Sequence, residues 1–199
     1  MDSAILRVFV AIELDPRVRA QLKQFERQLQ TDSAASAVRW VAPQNMHLTL
    51  KFLGNVERAR LDTTQGALAR AAAGIPPFEL VARGLDCFPN TRRPNNLWIE
   101  LEGDVETAAL LARRIEDEFA ALGFPREARG FTPHLTLGRV KHDASLRARA
   151  AVGELAKTTV LASQILIRVD AIHLVRSDLQ PGGPVYSLLY TERLKNDIS

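Results

Sequence analysis

The chain opens on a short apolar run rich in branched residues, ILRVFVAI (5–12), the pattern of a buried strand. Asp15 and Pro16 then supply an N-cap and a first helical residue, and Val18, Leu22, Phe25 and Leu29 recur at helical spacing along one face. DVETAALLARRIEDEFAALG repeats the design, with Leu111, Ile115, Phe119 and Leu122 on one face and Gly123 as the stop. Each helix leads, after a short gap, into the same tetrapeptide, His-Leu-Thr-Leu, at 47–50 and again at 134–137. Strand side chains alternate with a period of two, so in each copy His and Thr share one face and the two Leu share the other.

The copies stand 87 residues apart, and other elements recur at that offset. ERARLDTTQGALARAAAG (57–74) and ASLRARAAVGELAK (144–157) read as helices, and FELVARGLDCF (78–88) and ILIRVDAIHLV (165–175) as long strands. The first strand shifts onto LWIEL (97–101), and LWIEL onto PVYSLLY (184–190). The pattern predicts an α+β chain whose residues 1–199 form a single bilobal unit, its two lobes related by a pseudo-twofold axis. Leu48, Leu50, Leu135 and Leu137 are expected in the cores of their own lobes. His47, Thr49, His134 and Thr136 are expected to face one another across the groove between lobes.

Composition narrows the field only a little. With 199 residues, 46% hydrophobic and 25% charged, the chain can bury a full core. Its balance of 26 basic against 23 acidic residues permits an anionic ligand but lacks the charge density needed to coat duplex DNA. No apolar stretch approaches a membrane span, and the strand-like start with acidic Asp2 does not resemble a signal peptide, so a cytoplasmic protein without membrane contact is expected. Cys87 is the only cysteine; it excludes an intrachain disulfide and reads as a small buried apolar residue. A closed bilobal chain needs no obligate protein partner and is expected to be monomeric.

The duplicated pair carries the chemistry. Two imidazoles across a narrow groove form a general acid–base pair near neutral pH. In-line displacement at a phosphodiester needs both, a base on the attacking oxygen and an acid on the leaving oxygen. The hydroxyls of Thr49 and Thr136 can hydrogen-bond the non-bridging oxygens where charge accumulates. Arg139, five residues after His134, suits a phosphate grip by its forked donors or a solvated strand end; the first copy has Phe52 there. Phe131 suits either a nucleobase contact or core filling, and Lys51 shares by parity the face of His47 and Thr49, adding positive potential. Arg39 and Trp40 form a groove rim or anchor the strand. Zinc requires three or four ligands, and no further His or carboxylate accompanies either motif. His142 reads as solvated and His173 as structural, so neither metal nor cofactor is expected.

With these residues the sequence resembles the 2H phosphoesterase family, named for paired His-x-Thr/Ser-x motifs. Within it the match is to the bacterial RNA 2′,3′-cyclic phosphodiesterases, also known as 2′-5′ RNA ligases. The resemblance runs nearly end to end, through RVFVAIEL, RWVAPQNMHLTLKFLG, FPNTRRPNNLWIEL, GFPREARGFTPHLTLGRV and DAIHLVRSDLQPGGPVYSLL. It implies antiparallel sheets around a central groove and metal-independent opening of a terminal RNA 2′,3′-cyclic phosphate to a 2′-phosphate. It implies His47 and His134 as acid and base, Thr49, Thr136 and Arg139 on the phosphate, and reversible 2′-5′ ligation by the same groups. The residues also admit a non-catalytic RNA-end binding protein, or the same chemistry on small cyclic or 2′,5′-linked nucleotides. The least matched segment, TDSAASA (31–37), is expected to shape substrate access.

Overall fold

The computed structural model describes residues 4–195; Asp2, on which the reading of the N-terminus partly rests, lies outside them. The first strand, β1 (Ile5–Glu13), turns directly into helix α1 (Pro16–Leu29). Asp15 starts the helix as foreseen, its carboxylate accepting from the backbone N–H of Arg17 at 2.7 Å and of Val18 at 2.9 Å. Val18, Leu22, Phe25 and Leu29 are all buried. The first half continues with β2 (Val38–Trp40), β3 (His47–Glu57), α2 (Leu61–Ala72) and β4 (Phe78–Phe88). The second half runs through β5 (Asn96–Gly103), α3 (Val105–Ala121), β6 (His134–Val140), α4 (Leu146–Thr158), β7 (Val160–Val169), β8 (Ala171–Gln180) and β9 (Gly183–Arg193).

Two antiparallel sheets result, one of four strands in the order β3-β1-β8-β9 and one of five in the order β2-β6-β5-β4-β7. Helices α2 and α3 pack on the first sheet and α1 and α4 on the second. The expected architecture of two lobes, each a sheet with two helices, is present. Among the described residues no helix is long and apolar enough to cross a membrane.

Three segments depart from the simple repeat pattern. The segment 165–175 is not one strand: the chain breaks at Asp170, leaving β7 in the five-stranded sheet and placing β8 in the four-stranded one. The segment 31–37 is ordered: Asp32 caps a short 3₁₀ helix, Ser33–Ala37, that buries Ala34, Ala35 and Ala37 and packs on α4. Residues 58–60 form a separate 3₁₀ turn ahead of α2, so that helix begins at Leu61.

Leu48, Leu50, Leu135 and Leu137 lie in the main core, each at most 5% exposed. Burying a leucine is worth roughly 2 kcal/mol. A one-residue slip of β3 or β6 would exchange two leucines for a histidine and a threonine, so the core holds the register that aims the polar pair outward.

Candidate active site

The two motif strands belong to different sheets, yet β3 and β6 approach within 8 Å, Cα to Cα. His47, Thr49, His134 and Thr136 are all half-buried on the faces turned away from the leucines. The two imidazoles are close enough for charge on His134 to oppose protonation of His47. The sequence-predicted quartet therefore comes together, contributed equally by the two lobes.

Each ring is held in the same way. Nδ1 of His47 lies 2.8 Å from the carbonyl oxygen of Asn45, and Nδ1 of His134 lies 2.8 Å from that of Thr132, again residues 87 apart. A carbonyl only accepts, so Nδ1 carries the hydrogen in both rings. Nε2 is then the ring atom left available to take or give a proton. Burial pushes both imidazoles below the usual histidine range, against the opposing effect of these carbonyls. The hydroxyls of Thr49 and Thr136 make no hydrogen bond to protein among the described residues and are available to a ligand.

The same β-bulge follows the threonine in both copies. Ala11 pairs with Thr49 while Val10 pairs with Lys51, and Trp98 pairs with Thr136 while Leu97 pairs with Gly138. One residue is skipped in each ladder, Leu50 and Leu137, and the alternation of faces inverts beyond it. This overturns the placement of Lys51. Its side chain turns into the core, 1% exposed, where the ammonium donates to both carboxylate oxygens of Glu116 and to the carbonyl of Pro125, each at 2.8 Å. The bulge brings Phe52 and Arg139 onto the histidine faces instead. Gly138, the counterpart of Lys51, is required by packing: a Cβ there would stand 2.4 Å from Cγ1 of Val38 on β2.

Arg139 is exposed, forms no ion pair among the described residues, and lies near enough to Tyr186 of the opposite sheet to favour its phenolate against the dominant effect of burial. Phe131 is half-buried and packs against the main core. Trp40 likewise packs on the core, while Arg39 beside it is exposed. His142 is exposed, and His173 places Nδ1 3.1 Å from Oγ1 of Thr191 across the β8–β9 ladder. Cys87 is buried, which pushes its thiol up to about 12. Among the described residues no group of three or more His, Cys, Asp or Glu is arranged to hold a metal ion.

Several neighbours were not foreseen. His47 packs against Phe9, with ring centroids 4.8 Å apart, and against the edge of Tyr186 at 5.3 Å; His134 packs on Trp98 at 4.3 Å. Glu13 lies directly opposite His47 in the ladder and Glu100 directly opposite His134. The offset of 87 relates these two glutamates as well, which is the signal that could have found them. Glu13 is paired with Arg19 and favours protonation of His47.

The chain belongs to the LigT-like branch of the 2H phosphoesterases: the LigT like phosphoesterase profile matches residues 12–98 and, beginning 87 residues later, residues 99–186. It is similar to the RNA 2′,3′-cyclic phosphodiesterase of Methanothermobacter thermautotrophicus, 36% identical over 190 residues spanning 95% of this chain and 99% of that one. A protein of the same name from Thermus thermophilus is 30% identical over 197 residues, 96% of this chain and 92% of its own. Among solved structures, TT0787 of Thermus thermophilus aligns with a TM-score of 0.77 at 28% identity, covering 96% of this chain and all of that one. Escherichia coli LigT, solved with 3′-AMP, shares the fold with a TM-score of 0.77 at 23% identity over 96% of this chain and 98% of its own.

Proposed function

We propose that the chain is an RNA 2′,3′-cyclic phosphodiesterase that opens a terminal cyclic phosphate to a 2′-phosphate by general acid–base catalysis between His47 and His134. The observation that carries the reading is the matched pair of imidazoles. Each comes from its own lobe, each is fixed through Nδ1 by a carbonyl two residues upstream, and each has Nε2 available for proton transfer. Homologues named for this activity span nearly the whole chain and add the substrate class.

The cyclic phosphate sits between the rings, with its non-bridging oxygens on the hydroxyls of Thr49 and Thr136 and on the Arg139 guanidinium. One imidazole removes a proton from water as the water oxygen bonds to phosphorus. The bond from phosphorus to O3′ breaks, and the other imidazole protonates O3′. The ester to O2′ survives, so the product is a 2′-phosphate. The anionic phosphate between the rings offsets their burial and favours the one proton the pair must hold at the start. The 5′-hydroxyl of a second RNA, taking the place of water, meets the same groups, which allows 2′-5′ joining at high strand concentration.

Turnover of an RNA bearing a 2′,3′-cyclic end, with identification of the product phosphate, tests the reading. The wild-type chain should release a 2′-phosphate, and His47→Ala and His134→Ala should each lose about 10²- to 10⁴-fold in kcat. A protein that merely binds such ends would show no turnover, and its affinity would survive loss of either histidine. Full activity in both variants would eliminate the two-histidine mechanism.

A further inference from the structure

Arg139 also lines a pocket of about 350 Å³ between β2, the end of β6 and residues 95–96. Arg39, Arg139 and Lys141 line it with His142, and Asp143 is its one carboxylate. Arg39 stands directly opposite Arg139 in the β2–β6 ladder, with Asn96 opposite Arg139 on the other side. Like charges directly opposite one another weaken a sheet. Among the described residues no carboxylate pairs with either arginine to relieve that repulsion. A row of cations with no ion-paired carboxylate is what an anionic ligand can complete.

We propose that this pocket binds the phosphodiester preceding the terminal nucleotide, so that the preferred substrate is an RNA chain with a cyclic-phosphate end and not a cyclic mononucleotide. The inference rests on the cyclic phosphodiesterase reading above. In that reading Arg139 grips the reacting phosphate. Arg39 starts from the neighbouring strand, with cross-strand Cβ atoms about 5 Å apart, and its free guanidinium reaches sideways to the next anion along the backbone. Lys141 adds charge at the mouth.

On the His47 side a larger pocket, about 640 Å³, is chemically different; Glu13, Arg19, Asn45, His173, Tyr186 and Leu188 are among its lining residues. Glu13 and Arg19 neutralise each other, and the flanking ring and leucine suit an uncharged group. Phosphate charge is therefore favoured in the Arg39 pocket over the Glu13 pocket, which gives the bound strand a direction.

Three substrates sharing one terminal nucleoside 2′,3′-cyclic phosphate separate the possibilities: the mononucleotide, a dinucleotide with a normal phosphodiester, and a dinucleotide with an uncharged methylphosphonate link. The wild-type chain should prefer the phosphodiester dinucleotide by about tenfold in kcat/KM, and rising salt should erode the preference. The methylphosphonate dinucleotide should behave as the mononucleotide does. Arg39→Ala should reduce the preference severalfold, and Lys141→Ala, at an exposed position outside any strand, should reduce it less. If Arg39→Ala fails to fold, Lys141→Ala and the salt dependence carry the test. Equal kcat/KM on all three substrates, or an equal loss on all three in the variants, overturns the inference and leaves the cyclic phosphodiesterase reading intact. No turnover of any of them by the wild-type chain overturns both.

Discussion

The wall that carries His47 and the wall that carries His134 are the same strand twice, and they agree around the two His-x-Thr pairs and diverge beyond them. The histidines, the threonines, the carbonyls of Asn45 and Thr132, and the bulges at Leu50 and Leu137 all recur at one offset. Glu13 and Glu100 recur too, but several other positions beside them do not. Phe9 corresponds to Asn96, Ala11 to Trp98, and Phe52 to Arg139. One wall is aromatic, with Phe9, Phe52 and Tyr186 in ring contact; the other offers Asn96, Arg139 and Arg39 in one ladder row. In the proposed reaction the symmetry falls where one displacement would use like groups on both sides of phosphorus, and the asymmetry where an unsymmetrical nucleotide would be held.

The pair Phe52 and Arg139 exposes that division most sharply. Arg139→Ala removes charged hydrogen bonds from the phosphate and should lower kcat/KM by roughly 10- to 100-fold, with much of the loss in kcat. Phe52→Ala removes a ring that is 58% exposed, so any stacking lost is worth about 1 kcal/mol. It should raise KM about fivefold and leave kcat nearly unchanged. Steady-state kinetics on one cyclic-ended substrate decides. Matching kcat losses in the two variants would mean that the walls divide their work differently.

The pH profile sharpens the comparison next. Burial lowers both imidazoles below the ordinary histidine value of 6.5, so the bell in kcat/KM should be centred on the acid side of that value. The bound phosphate anion favours the protonated ring, so the basic limb should lie higher in kcat than in kcat/KM. Glu13 favours protonation of His47 and Arg19 opposes it. Glu13→Gln removes the first and unmasks the second, which lowers His47 further. One limb should move to lower pH while the other stays, and the limb that moves belongs to His47. Folding stability follows the same groups. The unfolded chain binds more protons than the native one between the lowered pKa values and 6.5. This part of the stability is complete above that range and is lost as pH falls through it. Movement of both limbs in Glu13→Gln would show that the two rings titrate as one unit.

Much of this was legible in the sequence, and for a physical reason. A strand buried on one face has to keep its alternation, so HLTL reports its own orientation, and two copies at one offset report a shared axis. The same rule failed one residue further on. A bulge inverts parity without disturbing the apolar pattern, and Lys51, whose stem is apolar and whose ammonium found Glu116, looks in sequence like any solvent-facing lysine. The signal was in the other copy: Gly138 inside a strand marks a bulge or a close approach of backbone. The three-residue strand β2 could not be read at all, because Val38, Arg39 and Trp40 pair only with β6, about a hundred residues away in sequence. Arg39 was legible as a candidate for the groove rim, but its pairing with Arg139 was not, for that reason.

Lys51 provides the mildest test and the one that separates the groove from its support. If the ammonium serves the core, Lys51→Met leaves the Glu116 carboxylate without its main partner and costs about 3 kcal/mol, at the low end for a broken buried pair because Glu116 still reaches water. For a chain of this size that is a fall in Tm on the order of 6–12 °C. The folded protein should keep kcat/KM within about twofold, since His47 and Thr49 lie on the opposite face and the bulge is held by the leucines on either side. Adding Glu116→Gln should recover part of the lost stability by removing the stranded charge. A Lys51→Met protein with unchanged Tm but a large loss of kcat/KM would return the ammonium to the groove, and the inversion of faces at the bulge would be wrong for both walls.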